Sequence, residues 1–159
     1  LEKVSNYLYD KKTLSLKEIS TLTNLSENYS AAELVDASLC KNIKKTCEIL
    51  DENNYSQDDI FFIIRVFIQK TKRVLNLLEI IKSEKDIEKV ISQQKPPIFW
   101  KDKPVIKKQL TLWSYKNMSD LVCKLNDIEI KIKRNNTLSV ILMKNFVYEI
   151  LDQQTSNSS

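Results

Sequence analysis

The absence of glycine from all 159 residues constrains this chain more than any other feature of its sequence. Ordinary usage of roughly 7% would place about eleven glycines in a chain of this length. Glycine-rich phosphate loops and dinucleotide-binding turns need backbone that only glycine allows close to phosphate, so neither motif can occur here. Tight β-hairpins also depend on glycine. The sequence therefore predicts an all-α fold with no nucleotide site of these kinds and no cofactor.

Histidine is also absent, which excludes a Ser-His-Asp triad, an HExxH zinc site and the usual general base near neutral pH. The three cysteines, Cys40, Cys47 and Cys123, have spacings that match no zinc motif, so no metal site is predicted. We expect free thiols in a reducing cytoplasm, with Cys47 and Cys123 as small core residues. The chain is predicted to have no catalytic residue.

Capping patterns followed by apolar residues at helical spacing divide the chain into helices. Helix starts are predicted at Ser15, Ser30, Ser56, Ser83 and Ser114. Together they predict a helical bundle over residues 29–151. Residues 26–29 are predicted to be a linker at a domain boundary, and residues 152–159 a disordered tail.

The longest and most apolar segment, residues 60–81, carries apolar side chains around much of its circumference and is predicted to lie at the centre of the bundle. Residues 128–133 alternate between apolar and polar, but they lie within a longer helical pattern and are predicted to be helical. Asp58 and Asp59 stand at a helix start, where carboxylates complement the helix dipole, so they are interpreted as capping residues.

One loop combines prolines, aromatic residues and lysines. Pro96 and Pro97 block a helix, whereas Pro104 suits the first turn of a new one. The candidate DNA-contact residues are Phe99, Trp100, Lys101, Lys103 and Lys107. Lysines would neutralise phosphates while the rings stack on bases. The alternative is a proline-bent connector whose aromatic side chains plug the bundle. Trp113 is predicted to be a core residue.

The overall charge of the chain is compatible with DNA contact by these residues but does not by itself predict it. The chain has 25 basic and 21 acidic residues, for a formal net charge of +4. Such a mildly basic balance is compatible with nucleic-acid contact. No run approaches the roughly 18 consecutive apolar residues of a membrane-spanning helix, so no membrane partner is predicted.

Several stretches carry a resemblance to a known family. They are residues 30–37, 44–50, 60–75, 95–101, 113–114 and 121–133. In order and spacing they resemble the C-terminal part of the delta subunit of the bacterial DNA polymerase III clamp loader, most closely its alphaproteobacterial branch. Glu129 and Lys133 stand at an acid and a lysine of the family pattern.

The resemblance implies the end of a lid domain in residues 1–28 and a collar domain in residues 29–151. The collar would oligomerise with the gamma/tau ATPase subunits and delta-prime, so that the sliding clamp is loaded on primed DNA. The full-length protein would be a subunit of a DNA-directed DNA polymerase, a nucleotidyltransferase, with no catalysis by this chain. We expect a fragment without the family's N-terminal clamp-binding domain.

The resemblance also bears on DNA contact. Some members carry an aromatic residue that meets the DNA junction before the last helix, where this chain has Asn135, Asn136 and Thr137. Phe99 or Trp100 lies where other members have an aromatic residue near DNA. Two alternatives stay open: an unrelated helical domain that binds a partner helix in a groove, and an independent nucleic-acid-binding module with steep salt dependence.

Overall fold

The computed structural model describes residues 30–153. The predicted lid segment, the Ser15 helix start and most of the predicted tail lie outside these residues. Helix α1 is described over residues 30–39, and the later elements are α2 (Ile43–Glu52), α3 (Gln57–Glu84), α4 (Ile87–Ser92), α5 (Lys103–Leu112), α6 (Tyr115–Arg134), a 3₁₀ turn (Asn136–Leu138) and α7 (Ser139–Asp152). Residues 30–153 contain no strand, which confirms the predicted all-α helical bundle.

Helix α3 lies at the centre of the bundle, as its apolar circumference predicts. It packs against α4, α5, α6 and α7. Ile60, Ile63, Ile64 and Phe67 are all buried. The rings of Phe67 and Phe146 on α7 meet edge to face, with centroids 5.8 Å apart and planes at 79°. Residues 128–133 lie inside α6, so their alternating pattern belongs to a helix.

Two predicted helix starts are confirmed and one is wrong. Ser56 and Asp59 form a reciprocal capping box, and the Ser114 hydroxyl accepts a hydrogen bond from the amide of Asn117. Ser83 does not start a helix, because α3 continues past it and its hydroxyl donates to the Ile80 carbonyl. Helix α4 is instead capped by Asp86, whose carboxylate accepts from two backbone amides of the first turn.

The indole of Trp113 joins the α5–α6 connection to the end of α1. Trp113 is buried, and its Nε1 donates a hydrogen bond of 2.7 Å to the Leu39 carbonyl. The Nζ of Lys41 lies 4.9 Å from the centroid of the same ring. A buried indole N–H needs such a partner, so the predicted core position of Trp113 is confirmed.

All three cysteines are free thiols, but only part of the prediction about their burial holds. Cys47 is partly buried, whereas Cys123 is exposed, so the prediction that Cys123 is a core residue is wrong. Leu121 and Leu125 define the core side of α6. Cys123 lies two residues from each, and two residues turn a helix by about 200°, which directs its side chain to the opposite face.

The phenol of Tyr55 makes the free energy of unfolding depend on pH in the alkaline range. Its hydroxyl donates to the Ile49 carbonyl over 3.0 Å, and burial raises the pKa of Tyr55 to about 12. The unfolded pKa is about 10, so the neutral phenol stabilises the fold below about pH 10, and this contribution is lost as the pH rises through about 12.

Wild type is therefore expected to lose more stability than Tyr55→Phe when both are moved from pH 9 to pH 11.5, values that bracket the unfolded pKa of about 10. Urea unfolding at the two pH values measures the difference. Comparing each protein with itself removes the baseline effect of the lost hydrogen bond. Equal losses would show that Tyr55 titrates alike in the folded and unfolded chains.

Candidate nucleic-acid interface

The connection between α4 and α5 has one buried residue followed by two residues whose side chains extend into solvent. We call residues 95–103 the aromatic-basic loop. Ile98 is buried, whereas its neighbours Phe99 and Trp100 are exposed. The Phe99 carbonyl accepts a 2.9 Å hydrogen bond from the Asp102 amide, which closes a turn just before α5 begins with Pro104 in its first turn. The buried Ile98 and this turn fix the base of the projecting pair.

The two aromatic rings form a small platform open to solvent. Phe99 is 56% exposed and Trp100 is 68% exposed. Their ring centroids lie 5.9 Å apart at an angle of 48°, and the Nζ of Lys101 lies 5.4 Å from the centroid of Trp100. The plug interpretation therefore fails for both rings, whereas the neighbouring Ile98 is buried. Exposed rings beside a cation are the arrangement on which nucleic-acid bases stack.

The three candidate lysines do not share one environment. Lys101 and Lys103 are exposed and form no ion pair with any residue from 30 to 153. Lys107 lies one turn into α5 and pairs with Glu88 on α4. Its charge is therefore partly neutralised, and it ties α5 to α4. The structure brings Phe99, Trp100 and Lys101 into contact, whereas Lys103 follows them at the start of α5 and Lys107 is engaged by α4.

A polar network joins three helices beside the end of the loop. The Nζ of Lys70 on α3 lies 2.5 Å from the Oδ2 of Asp36 on α1. Gln109 on α5 is buried, and its Nε2 donates to the Oδ1 of Asp36 over 3.2 Å. Because both oxygens of one carboxylate are engaged from different helices, α5 is held in register with α1 and α3. Because α5 is held in place, the end of the loop that leads into α5 is also fixed relative to the bundle.

Near this network, the thiol of Cys40 faces the Val105 carbonyl, with the sulfur 3.8 Å from the oxygen. Burial raises the pKa of Cys40. The group is therefore a neutral thiol at physiological pH and a poor nucleophile. Its contact helps to pack α1 against α5.

Arg73 is a residue of this region that the sequence analysis missed. It lies on α3, and together with Asp102, Val105 and Gln109 it lines a small groove between α3 and α5. The groove adjoins the aromatic-basic loop, since Asp102 belongs to both. Arg73 is remote from the loop in sequence, and no motif marks it, so only the folded chain reveals their proximity.

Glu129 and Lys133, the family-pattern pair, form an ion pair of 2.9 Å one turn apart on α6. An exposed pair at this spacing adds only a few tenths of a kcal/mol, about 0.2–0.5, to the helix. Asp58 and Asp59 stand in the first turn of α3, and the Asp59 carboxylate accepts a 2.6 Å hydrogen bond from the Ser56 amide. The capping interpretation of Asp59 is confirmed.

Residues 30–153 include no cluster of three or more side chains of the histidine, cysteine, aspartate or glutamate types that could hold a metal ion. Among the described helices, none combines the length and the hydropathy needed to cross a bilayer. Comparison with known protein families, curated proteins and solved structures found no match to this chain. Functional assignment therefore rests on the residues of the chain itself.

Proposed function

We propose that this chain is the collar part of a clamp-loader delta subunit. In this role it oligomerises with the gamma/tau ATPase subunits and delta-prime in the cytoplasm, so that the sliding clamp is loaded on primed DNA. The stretches that resemble the family support the proposal, because they fall on α1, α2, α3, the aromatic-basic loop, the Trp113 anchor and α6, in order, within an all-helical bundle.

The aromatic-basic loop carries the DNA-binding part of the proposal. Exposed Phe99 and Trp100 offer faces for two unpaired bases. The ammonium groups of Lys101 and Lys103 form no ion pair with a described residue and can neutralise phosphates. A primer-template junction presents single-stranded template next to duplex, so a stacking platform suits its single-stranded side. The contact is positional, and the chain performs no chemical step on DNA. Membership of the nucleotidyltransferase class belongs to the whole polymerase complex.

The bundle would act as a rigid anchor. Central α3 is packed on several sides, and the Asp36–Lys70–Gln109 network ties it to α1 and α5. Close-packed interiors transmit displacement instead of absorbing it. Movement driven by ATP in the partner subunits would therefore pass through this part of delta as a rigid-body motion to the clamp-binding domain.

A second candidate function is favoured by the outer face of α7. Ile141 is 56% exposed and Tyr148 is 40% exposed, and their seven-residue spacing places them on one side of that helix. These two exposed apolar side chains suit contact with an amphipathic helix of a partner, as in an unrelated protein-interaction domain. In the collar proposal the same side chains would face a neighbouring subunit.

A competition experiment tests the proposal. Excess of this 159-residue chain is added while a clamp loader is reconstituted from its cognate subunits, and ATP-dependent clamp loading is measured. The chain is expected to occupy the place of full-length delta without supplying a clamp-binding domain, so loading should fall as its concentration rises. Undiminished loading at large excess would contradict the collar proposal.

The doubly substituted chain Phe99→Ala/Trp100→Ala is the matched control, because it keeps the bundle and loses the stacking platform. Equal inhibition by both proteins would support occupation of the place of delta. Inhibition by wild type alone would indicate competition for DNA, and hence an independent nucleic-acid-binding module.

A further inference from the structure

The groove between α3 and α5 is lined by two acidic and two basic side chains. Of its two carboxylates, that of Asp36 is already engaged by Lys70 at 2.5 Å and by Gln109 at 3.2 Å. The remaining charged groups in the groove are Arg73 and Asp102. Lys101 and Lys103 flank Asp102 in the chain. Neither Arg73 nor Asp102 forms an ion pair with any described residue, so the Arg73 guanidinium keeps its N–H donors for an anionic partner.

Arg73 is well placed for such a partner. Its side chain is exposed and forms no ion pair with any described residue, while Thr71 and Val74 beside it on α3 are buried and fix the backbone. A guanidinium offers a planar fork of N–H donors that matches two phosphate oxygens.

We infer that Arg73 binds a backbone phosphate of the single strand whose bases stack on Phe99 and Trp100. The inference rests on the proposed role of the aromatic-basic loop in DNA binding. It predicts the path of the strand over the surface, from the loop across the α3–α5 groove. Phosphate contacts fix the register of a nucleic acid on a protein. With Arg73 on α3 and the aromatic pair on the loop, two separate elements hold the strand.

Fluorescence anisotropy of a labelled oligothymidylate, titrated with the 159-residue chain at several salt concentrations, tests this inference. Arg73→Ala is expected to weaken binding by about tenfold or more, because hydrogen bonds from a charged donor to phosphate are stronger than those between neutral groups. The slope of log affinity against log salt should also fall by about 0.7, the value for one phosphate contact on a single strand. Arg73→Gln should lower the affinity and the salt slope by similar amounts.

Arg65→Ala is the matched control, because Arg65 is exposed on the same helix, about 12 Å further along its axis, and does not line the groove. It should change the affinity by less than about twofold, as expected for a distant and screened charge. Asp102→Asn removes the one opposing carboxylate without changing its shape. It should tighten binding by about twofold or more, because the groove loses a repulsive charge.

Equal losses of affinity for Arg73→Ala and Arg65→Ala would overturn the inference about Arg73. They would not contradict DNA binding by the aromatic-basic loop. Weaker binding by Asp102→Asn would also contradict it, because the groove would then not attract phosphate. If wild type fails to bind oligothymidylate, both the proposed groove contact and the proposed loop contact are contradicted. Assembly with the loader subunits is a separate measurement and would be unaffected by that outcome.

Discussion

Replacing both Phe99 and Trp100 by alanine is expected to weaken the binding of single-stranded DNA by about thirtyfold or more. Each base stacked on an aromatic side chain contributes about 1–3 kcal/mol, and the platform offers two rings. Both side chains are largely exposed, so their loss should leave the bundle intact. Affinity for a labelled oligothymidylate measures the change, and the helical circular-dichroism signal confirms that the variant is folded.

Tryptophan fluorescence provides an internal control, because the chain has two tryptophans in opposite environments. Trp100 is exposed, whereas Trp113 is buried and hydrogen-bonded to Leu39. DNA should quench the emission of wild type through Trp100 alone, and Trp100→Ala should show no quenching. A double variant that binds as tightly as wild type would show that the loop is not a stacking platform.

The replacement Phe67→Ala is expected to lower the free energy of unfolding by about 3–5 kcal/mol. Phe67 is fully buried on the central helix, and its ring meets that of Phe146. Alanine would leave a cavity that the packed neighbours fill only in part. Since small domains are stable by about 5–15 kcal/mol in total, this variant should be marginally folded. Urea unfolding followed by circular dichroism gives the value.

The same chemical change at Phe99 is the matched control, because that ring faces solvent. Phe99→Ala should change the free energy of unfolding by less than about 0.5 kcal/mol. Comparable losses at both positions would mean that the loop packs into the core, and the account of the exposed platform would then be wrong. The pair therefore tests the core and the candidate site with one kind of substitution.

Helix content was predictable from the sequence where capping and periodicity agreed. Ser56 and Ser114 combine a hydroxyl with a following apolar pattern, and both cap helices. Ser83 carries the same local signal, yet α3 runs through it and ends where Lys85 takes a left-handed conformation, with φ of 58°. Glycine usually marks such an ending, and this chain has none to mark it.

The candidate site was predictable as a segment but not as a surface. Prolines, aromatic residues and lysines identify the loop, yet a loop without periodicity does not say which side chain turns inward. The structure buries Ile98 and exposes its two neighbours. Arg73 and the Asp36–Lys70–Gln109 network join residues far apart in sequence, so only the packing of α1, α3 and α5 brings them together.

Gel filtration with light scattering tests the central claim most directly. The 159-residue chain is run alone, then mixed with its cognate gamma/tau ATPase subunit and delta-prime, and the molar mass of each peak is measured. The collar proposal predicts a shared peak whose mass includes this chain. If the partners form their own complex while this chain elutes separately, the chain is not a collar of that loader.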